Sequence, residues 1–213
     1  TGLYTIVYNV TLENGCSKTK TFNVFIGASP SASLGTAGTP VLCDPSSVVF
    51  NIIAGAQNTS GTIYTFQVND NSAIQTFTHE QLISQGGIFN TTLNQWIFQI
   101  THNFNNNSCN SDSNINGQIY YNSFQASITV SNPCGTTSNS NGPYYIETGP
   151  EAIITSNPSS NSVCVNTSII FTDTSINGAN ISSQGPGVDF NCNSTYKKYW
   201  TIDGPSGIIP AAI

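Results

Sequence analysis

Arginine and methionine are absent from this 213-residue chain, and only four lysines and two histidines are present. Recognition of nucleic acid needs clustered Lys and Arg to neutralise phosphates, and a net charge of −6 with so few cations excludes it. No apolar run approaches the roughly 18 residues of a membrane span, so no span is expected. With neither Met nor a signal-like leader at its start, the sequence reads as a cut from a longer polypeptide. Charged residues are scarce as well, at 7% against about a quarter of an ordinary globular chain. Asn, Ser, Thr and Gly take their place, a neutral, solvated surface suited to an extracellular protein.

Closely spaced metal-ligand cysteines are also missing. Cys16, Cys43, Cys109, Cys134, Cys164 and Cys192 stand far apart with no Cys-x-x-Cys pair, which argues against a zinc site. Scattered cysteines in such a chain point instead to disulfides formed in an oxidising compartment.

What is present is a repeat. Cys43-Asp44-Pro45-Ser46-Ser47-Val48-Val49-Phe50 and Cys164-Val165-Asn166-Thr167-Ser168-Ile169-Ile170-Phe171 both place a Phe seven positions after a Cys, and they lie 121 residues apart (43 to 164). Tyr8 to Cys16 and Ala126 to Cys134 are both alternating strands that end in a Cys-bearing turn, 118 residues apart (16 to 134). The links Gly27-Ala28-Ser29-Pro30 and Thr148-Gly149-Pro150-Glu151 follow in the same order. The chain therefore divides into the last strands of one module (1–27), a complete module (28–148) and the first half of a third (149–213). About 120 residues is an ordinary size for a β-sandwich. The partial modules are expected to leave apolar faces uncovered.

Local pattern supports an all-β class. Leu3 to Val10 and Phe124 to Val130 alternate with a period of two, and Val48 to Ile53 and Ile169 to Phe171 are dense in β-branched residues. Gly, Pro and Asn punctuate the strands about every ten residues. His79 to Ile83 is the one stretch that suggests a helical turn.

Particular motifs carry a family resemblance. Gly2-Leu3-Tyr4-Thr5-Ile6-Val7 resembles the penultimate-strand signature Gly-x-Tyr-Thr-Val of PKD domains, which are immunoglobulin-like modules of bacterial surface and secreted proteins. Thr101-His102-Asn103-Phe104 resembles the His-x-Tyr/Phe that precedes that strand. Tyr64 to Asn71 and Tyr199 to Gly204 sit where the family has Trp-x-Phe-Gly-Asp-Gly, and Phe171-Thr172-Asp173-Thr174-Ser175 matches its Phe-Thr-Asp-Thr-Ser. Two departures stand out. Asn69-Asp70-Asn71 replaces the Gly-Asp-Gly turn, and the middle module lacks Gly-x-Tyr. The Asn-rich, Cys-marked variant is similar to the repeat arrays of Bacteroidetes gliding-motility adhesins of the SprB type. That resemblance implies a very long cell-surface adhesin exported by type IX secretion, with outer-membrane secretion or gliding proteins as partners beside neighbouring repeats of the same polypeptide.

Sandwich topology bears on the cysteines. Cys43, read as opening the second strand, and Cys109, in the long loop before Phe124, belong at one end of the module, so a Cys43–Cys109 bond is expected. Cys109–Cys134 is the competing pairing. Cys43–Cys134 is disfavoured, since a seven-residue strand spans about 23 Å and bridged Cα atoms lie within ~7 Å. Cys192 is expected to pair with a turn cysteine after residue 213, at the position Cys16 holds in the first module, which leaves Cys134, Cys16 and Cys164 with partners undetermined or outside the chain.

Other chemistry is weakly represented. His79-Glu80 and His102 allow a Ser-His-Asp constellation on paper, but His102 occupies a structural position of the family and His79 falls on a variable connection, so no catalytic site is expected. Asp70, Asp173 and Asp203 lie near turns and are candidate calcium ligands, although Asp is also an ordinary turn former. Trp96, Trp200, Tyr120, Tyr121, Tyr144 and Tyr145 are the aromatics available to surface polysaccharide, and Tyr144-Tyr145 places one ring on each strand face. Sequons such as Asn58-Thr59-Ser60 are expected by chance in so Asn- and Thr-rich a chain. The functional expectation is a structural repeat of a secreted surface adhesin. The alternatives are a glycan- or cell-binding module and an accessory module of a secreted hydrolase.

Overall fold

The computed structural model describes residues 1–36, 41–159, 162–176, 178, 185–187, 192, 198–204 and 207–210. The chain opens with a long hairpin, β1 (Gly2–Thr11) and β2 (Ser17–Ile26). Then come β3 (Ala32–Thr36), β4 (Val41–Asp44), β5 (Ser46–Gly55), β6 (Ile63–Val68) and β7 (Gln75–Thr78). Helix α1 (His79–Ser84) leads to β8 (Ile88–Asn90), β9 (Gln95–Phe104), β10 (Ser113–Ile115), β11 (Gln118–Tyr120), β12 (Phe124–Asn132) and β13 (Gly135–Thr148). The last elements are β14 (Ile154–Asn157), β15 (Ile170–Asp173), β16 (Thr201–Gly204) and β17 (Gly207–Pro210).

The strands between Ala32 and Thr148 form a two-layer β-sandwich. One sheet has the order β3-β5-β9-β8 and the other β4-β13-β12-β6-β7. The period-two pattern decides which side chains enter the core. Val48, Phe50, Ile52 and Ala54 point inward from β5, and Phe124, Ala126, Ile128 and Val130 from β12. The facing rings meet directly: Phe50 lies 5.0 Å from Phe66 and 5.4 Å from Tyr144, and Tyr64 packs edge-on against Phe98. Each fully buried ring or branched aliphatic contributes about 1.5–3 kcal/mol by transfer from water. Helix α1 forms because Thr78 and Gln81 make a reciprocal capping box: the Thr78 hydroxyl accepts from the Gln81 N–H and the Gln81 side chain accepts from the Thr78 N–H.

The flanking stretches are less covered. The β1–β2 hairpin exposes Tyr4, Ile6, Tyr8, Phe22 and Val24, as expected of strands with no second sheet over them. Its base rests on the module through Leu3 and Phe25, which pack at Gly61 in the turn after β5. Gly61 has φ +90°, a left-handed conformation in which any added Cβ would meet the Phe25 ring at 3.1 Å. Beyond the module, β14 pairs with β15 and β16 with β17.

Two local geometries recur at the spacings found in the sequence. The Cys16 N–H donates to Asn14 Oδ1 at 3.1 Å in the turn between β1 and β2, and the Cys134 N–H donates to Asn132 Oδ1 at 2.9 Å between β12 and β13. The bond from the Gly55 N–H to the Ser31 carbonyl reappears as the bond from the Ile176 N–H to the Glu151 carbonyl. Aligned on that bond, Glu151 falls on Ser31 and Glu147 on Gly27, one residue from the register suggested by sequence matching.

Candidate functional site

Both histidines are interior groups. His102 alternates inward from β9, where Val48, Phe50 and Ile52 line the facing strand, and is 4% exposed. Its Nε2 lies 2.7 Å from Asp70 Oδ2, and its ring packs against Phe66 and edge-on to Phe104. Asp70 also accepts from the Ser72 N–H through Oδ1 at 3.0 Å. Burial works to raise the Asp70 carboxyl, but the bonds from Ser72 and His102 outweigh it and hold the group below its ordinary value. Asn71 adopts φ +65° in this turn, a left-handed position where the resembling motif has Gly and which Asn tolerates.

His79 opens the helical turn expected at His79 to Ile83, as the first residue of α1 on the connection between β7 and β8, and is buried against Trp96, Phe98 and Tyr64. Its Nδ1 is 3.1 Å from the Tyr64 hydroxyl, which also accepts from Asn58 Nδ2 at 3.0 Å. Burial lowers the His79 pKa, with Glu80 opposing. Desolvation raises that of the Tyr64 hydroxyl. Each imidazole is thus held inside a packed aromatic shell, Asp70 on one and a tyrosine on the other.

The calcium candidates do not converge on one point. Asp70 is occupied as described. Asp173 accepts from the Ser175 N–H at 2.8 Å and forms an ion pair with Lys198. The Lys198 and Ser175 bonds bring its carboxyl down to about 2. Asp203 lies on β16, and its side chain is outside the described residues. Among the described residues no cluster of three or more His, Cys, Asp or Glu forms.

The aromatic pair behaves differently from the sequence expectation of one exposed ring. Tyr144 is 3% and Tyr145 2% exposed. Tyr144 enters the core between Phe50 and Phe104, its hydroxyl donating to Asn141 Oδ1. Tyr145 points out of the sheet as alternation requires, but residues from beyond the module cover it. The Gly185 N–H reaches its hydroxyl, and the Gly187 N–H donates to the Ile119 carbonyl at 2.8 Å. Trp96 packs on the core. Trp200 faces Phe171 across 6.4 Å, beside a groove lined by Ile153, Ile154, Ile176 and Tyr199.

The disulfide expectation needs correction. The bond formed is Cys109–Cys192, with Cα atoms 5.9 Å apart and a sequence separation of 83, while Cys43 is a free, exposed thiol. The reason lies in β13. Cys43 is on the edge strand β4, paired in parallel with Glu147, and does not open β5. The loop carrying Cys109 attaches to the opposite edge of β13, where the Ser108 N–H donates to the Ile146 carbonyl at 2.9 Å and the Ile146 N–H to Ser108 Oγ at 2.9 Å. Two strand spacings, roughly 10 Å, separate Cys43 from Cys109, too far for a bond. Cys192 accordingly reaches back to the middle module and not onward to a later turn. Cys16, Cys134 and Cys164 are likewise exposed free thiols.

Sequence reading missed the polar residues that position these features. Asn58, noted only as a sequon, is fully buried and spans Ser31 and Tyr64 with both ends of its amide. Ser108, also fully buried, joins β13 to the Asn122 carbonyl. In a chain so rich in Asn and Ser, composition gives no signal to distinguish these two from their solvated neighbours. No model of a known protein family and no curated protein matches the chain.

Proposed function

We propose that this chain is a segment of tandem immunoglobulin-like modules acting as a load-bearing spacer in a secreted cell-surface adhesin, and that it has no catalytic role. The observation that carries the reading is the recurrence of the Gly55–Ser31 backbone bond at Ile176–Glu151, at module spacing, combined with the Cys109–Cys192 strap from the middle module to the next segment. The strand order supports the immunoglobulin type: β3-β5-β9-β8 faces β4-β13-β12-β6-β7, with the first strand divided between the two sheets. The PKD-like motifs extend the proposal to a bacterial surface array, with neighbouring repeats as immediate partners and gliding or type IX secretion proteins as its carriers.

Mechanically, each sandwich is a bead with a packed core, and the junction after β13 combines packing with the Cys109–Cys192 strap. A rigid rod of such beads would hold a distal binding region away from the envelope. Small-angle scattering of the native polypeptide should give an elongated particle whose maximum dimension grows linearly with module number. A compact globule would overturn the reading. Tyr144 and Tyr145, the pair that most suggested glycan binding, are buried, which favours the spacer over a glycan-binding module.

A further inference from the structure

Four cysteines, Cys16, Cys43, Cys134 and Cys164, are exposed thiols in this chain. They form two sets. Cys16 and Cys134 each donate an N–H to the Asn two residues earlier in a hairpin connection, a wider loop for Cys16 than for Cys134, and Cys43 and Cys164 precede equivalent strands.

The two sets sit at opposite ends of a module. Cys43 projects outward from β4, since Leu42 beside it packs on the core, and it stands opposite Glu147 near the exit of the chain. Cys134 lies at the entrance. Its Sγ is 3.4 Å from the Gly27 carbonyl, the Ser29 hydroxyl donates to the Cys134 carbonyl at 3.0 Å, and Asn132 Nδ2 donates to the Ala28 carbonyl at 2.9 Å. Between the two positions runs nearly all of β13, roughly 40 Å of strand, so they cannot bond within one module.

Across a junction the situation reverses. Aligned on the repeated bond, Gly27 is the counterpart of Glu147. The residue of a preceding module equivalent to Cys43 therefore stands beside Gly27, whose carbonyl the Cys134 thiol touches. Parallel neighbours lie about 4.8 Å apart, and disulfides join Cα atoms 4.4–6.8 Å apart. We propose that the Cys43-type cysteine of each module forms a disulfide with the Cys134-type turn cysteine of the following one. Resting on the tandem-array reading, the inference gives all four thiols partners in adjoining repeats of the same polypeptide. In each bond two thiols lose two protons and two electrons to a disulfide of the oxidising compartment, which is released as two thiols. With Cys109–Cys192 on the far edge of β13, the junction after Thr148 then carries two covalent ties, one on each side of the strand that leads into the following segment. One tie allows rotation about itself; two on opposite edges oppose both twist and bend.

The test is disulfide mapping of the native polypeptide, denatured without reductant, alkylated and digested. Peptides holding Cys43 should be joined to an Asn-x-Cys turn peptide from a following repeat, with no alkylated Cys43 or Cys134. The 213-residue chain alone should instead present four alkylatable cysteines and the Cys109–Cys192 bond. Alkylated Cys43 and Cys134 in a native protein that does have flanking repeats would overturn this inference while leaving the array intact. So would a Cys43–Cys164 bond, or turn cysteines joined to each other or to a different protein. A native sequence without flanking repeats would defeat the array reading itself.

Discussion

Removing the Cys109–Cys192 strap, by paired replacement Cys109→Ser and Cys192→Ser, is the most informative perturbation. The bond closes a loop of 83 residues, and in the chain-entropy account closing a loop of that length constrains the unfolded chain by about 4.5 kcal/mol. Little else described here ties the segment after residue 177 to the middle module: the Gly185 N–H on Tyr145, the Gly187 N–H on Ile119 and the close approach of Gly178 to Thr148. Such exposed backbone bonds contribute about 1 kcal/mol each, less than the strap. The variant should therefore release residues 178–192 while the sandwich stays folded, exposing Tyr145. Hydrogen exchange should accelerate at the Gly187 amide but not at core amides such as Ile128, and limited proteolysis should cut between 178 and 192. The two tryptophans separate the events, because Trp96 reports the middle module and Trp200 the following segment. Equal protection of the 185–187 amides with and without the bond would refute the reasoning, since packing alone would then hold the segment.

Further predictions concern the interior. Asp70→Ala, which leaves the buried His102 without its partner, should cost about 3 kcal/mol in urea unfolding, whereas Asp70→Asn, which keeps a hydrogen bond, should cost about 1 kcal/mol. Because the Asp70 carboxyl is held below its ordinary 3.8, its contribution is complete above that pH and is lost as pH falls through the folded value; Asp70→Asn should flatten this acid limb. His79 is displaced downward from its ordinary 6.5, so folding favours the neutral ring, and stability should decline as pH falls below about 6.5 in the wild type but not in His79→Gln. Tyr144→Ala should lower stability by about 3–5 kcal/mol, as other large core deletions do, with the loss visible by circular dichroism in the absence of any ligand.

The sequence by itself determined the β class and most strand positions. These depend on local rules: alternation sets which face of β12 is apolar, β-branched runs mark β5, and Asn, Gly and Pro mark the turns. It also located the helical turn after Thr78, because capping acts within a few residues of chain, whereas the inward place of His102 was expected only from the motif resemblance. Tertiary structure decided the rest. Alternation placed Tyr145 outward, and only the return of residues 185–187 buried it. Shared loop ends placed Cys43 near Cys109, and only the passage of β13 between them kept the two apart and left Cys109 to Cys192. The burial of Asn58 and Ser108 likewise follows from where strands meet, for their side chains are chemically the same as those of the many Asn and Ser residues left in water. Local periodicity is written along the chain, whereas which edge of a strand a loop returns to is set only when distant segments compete for it.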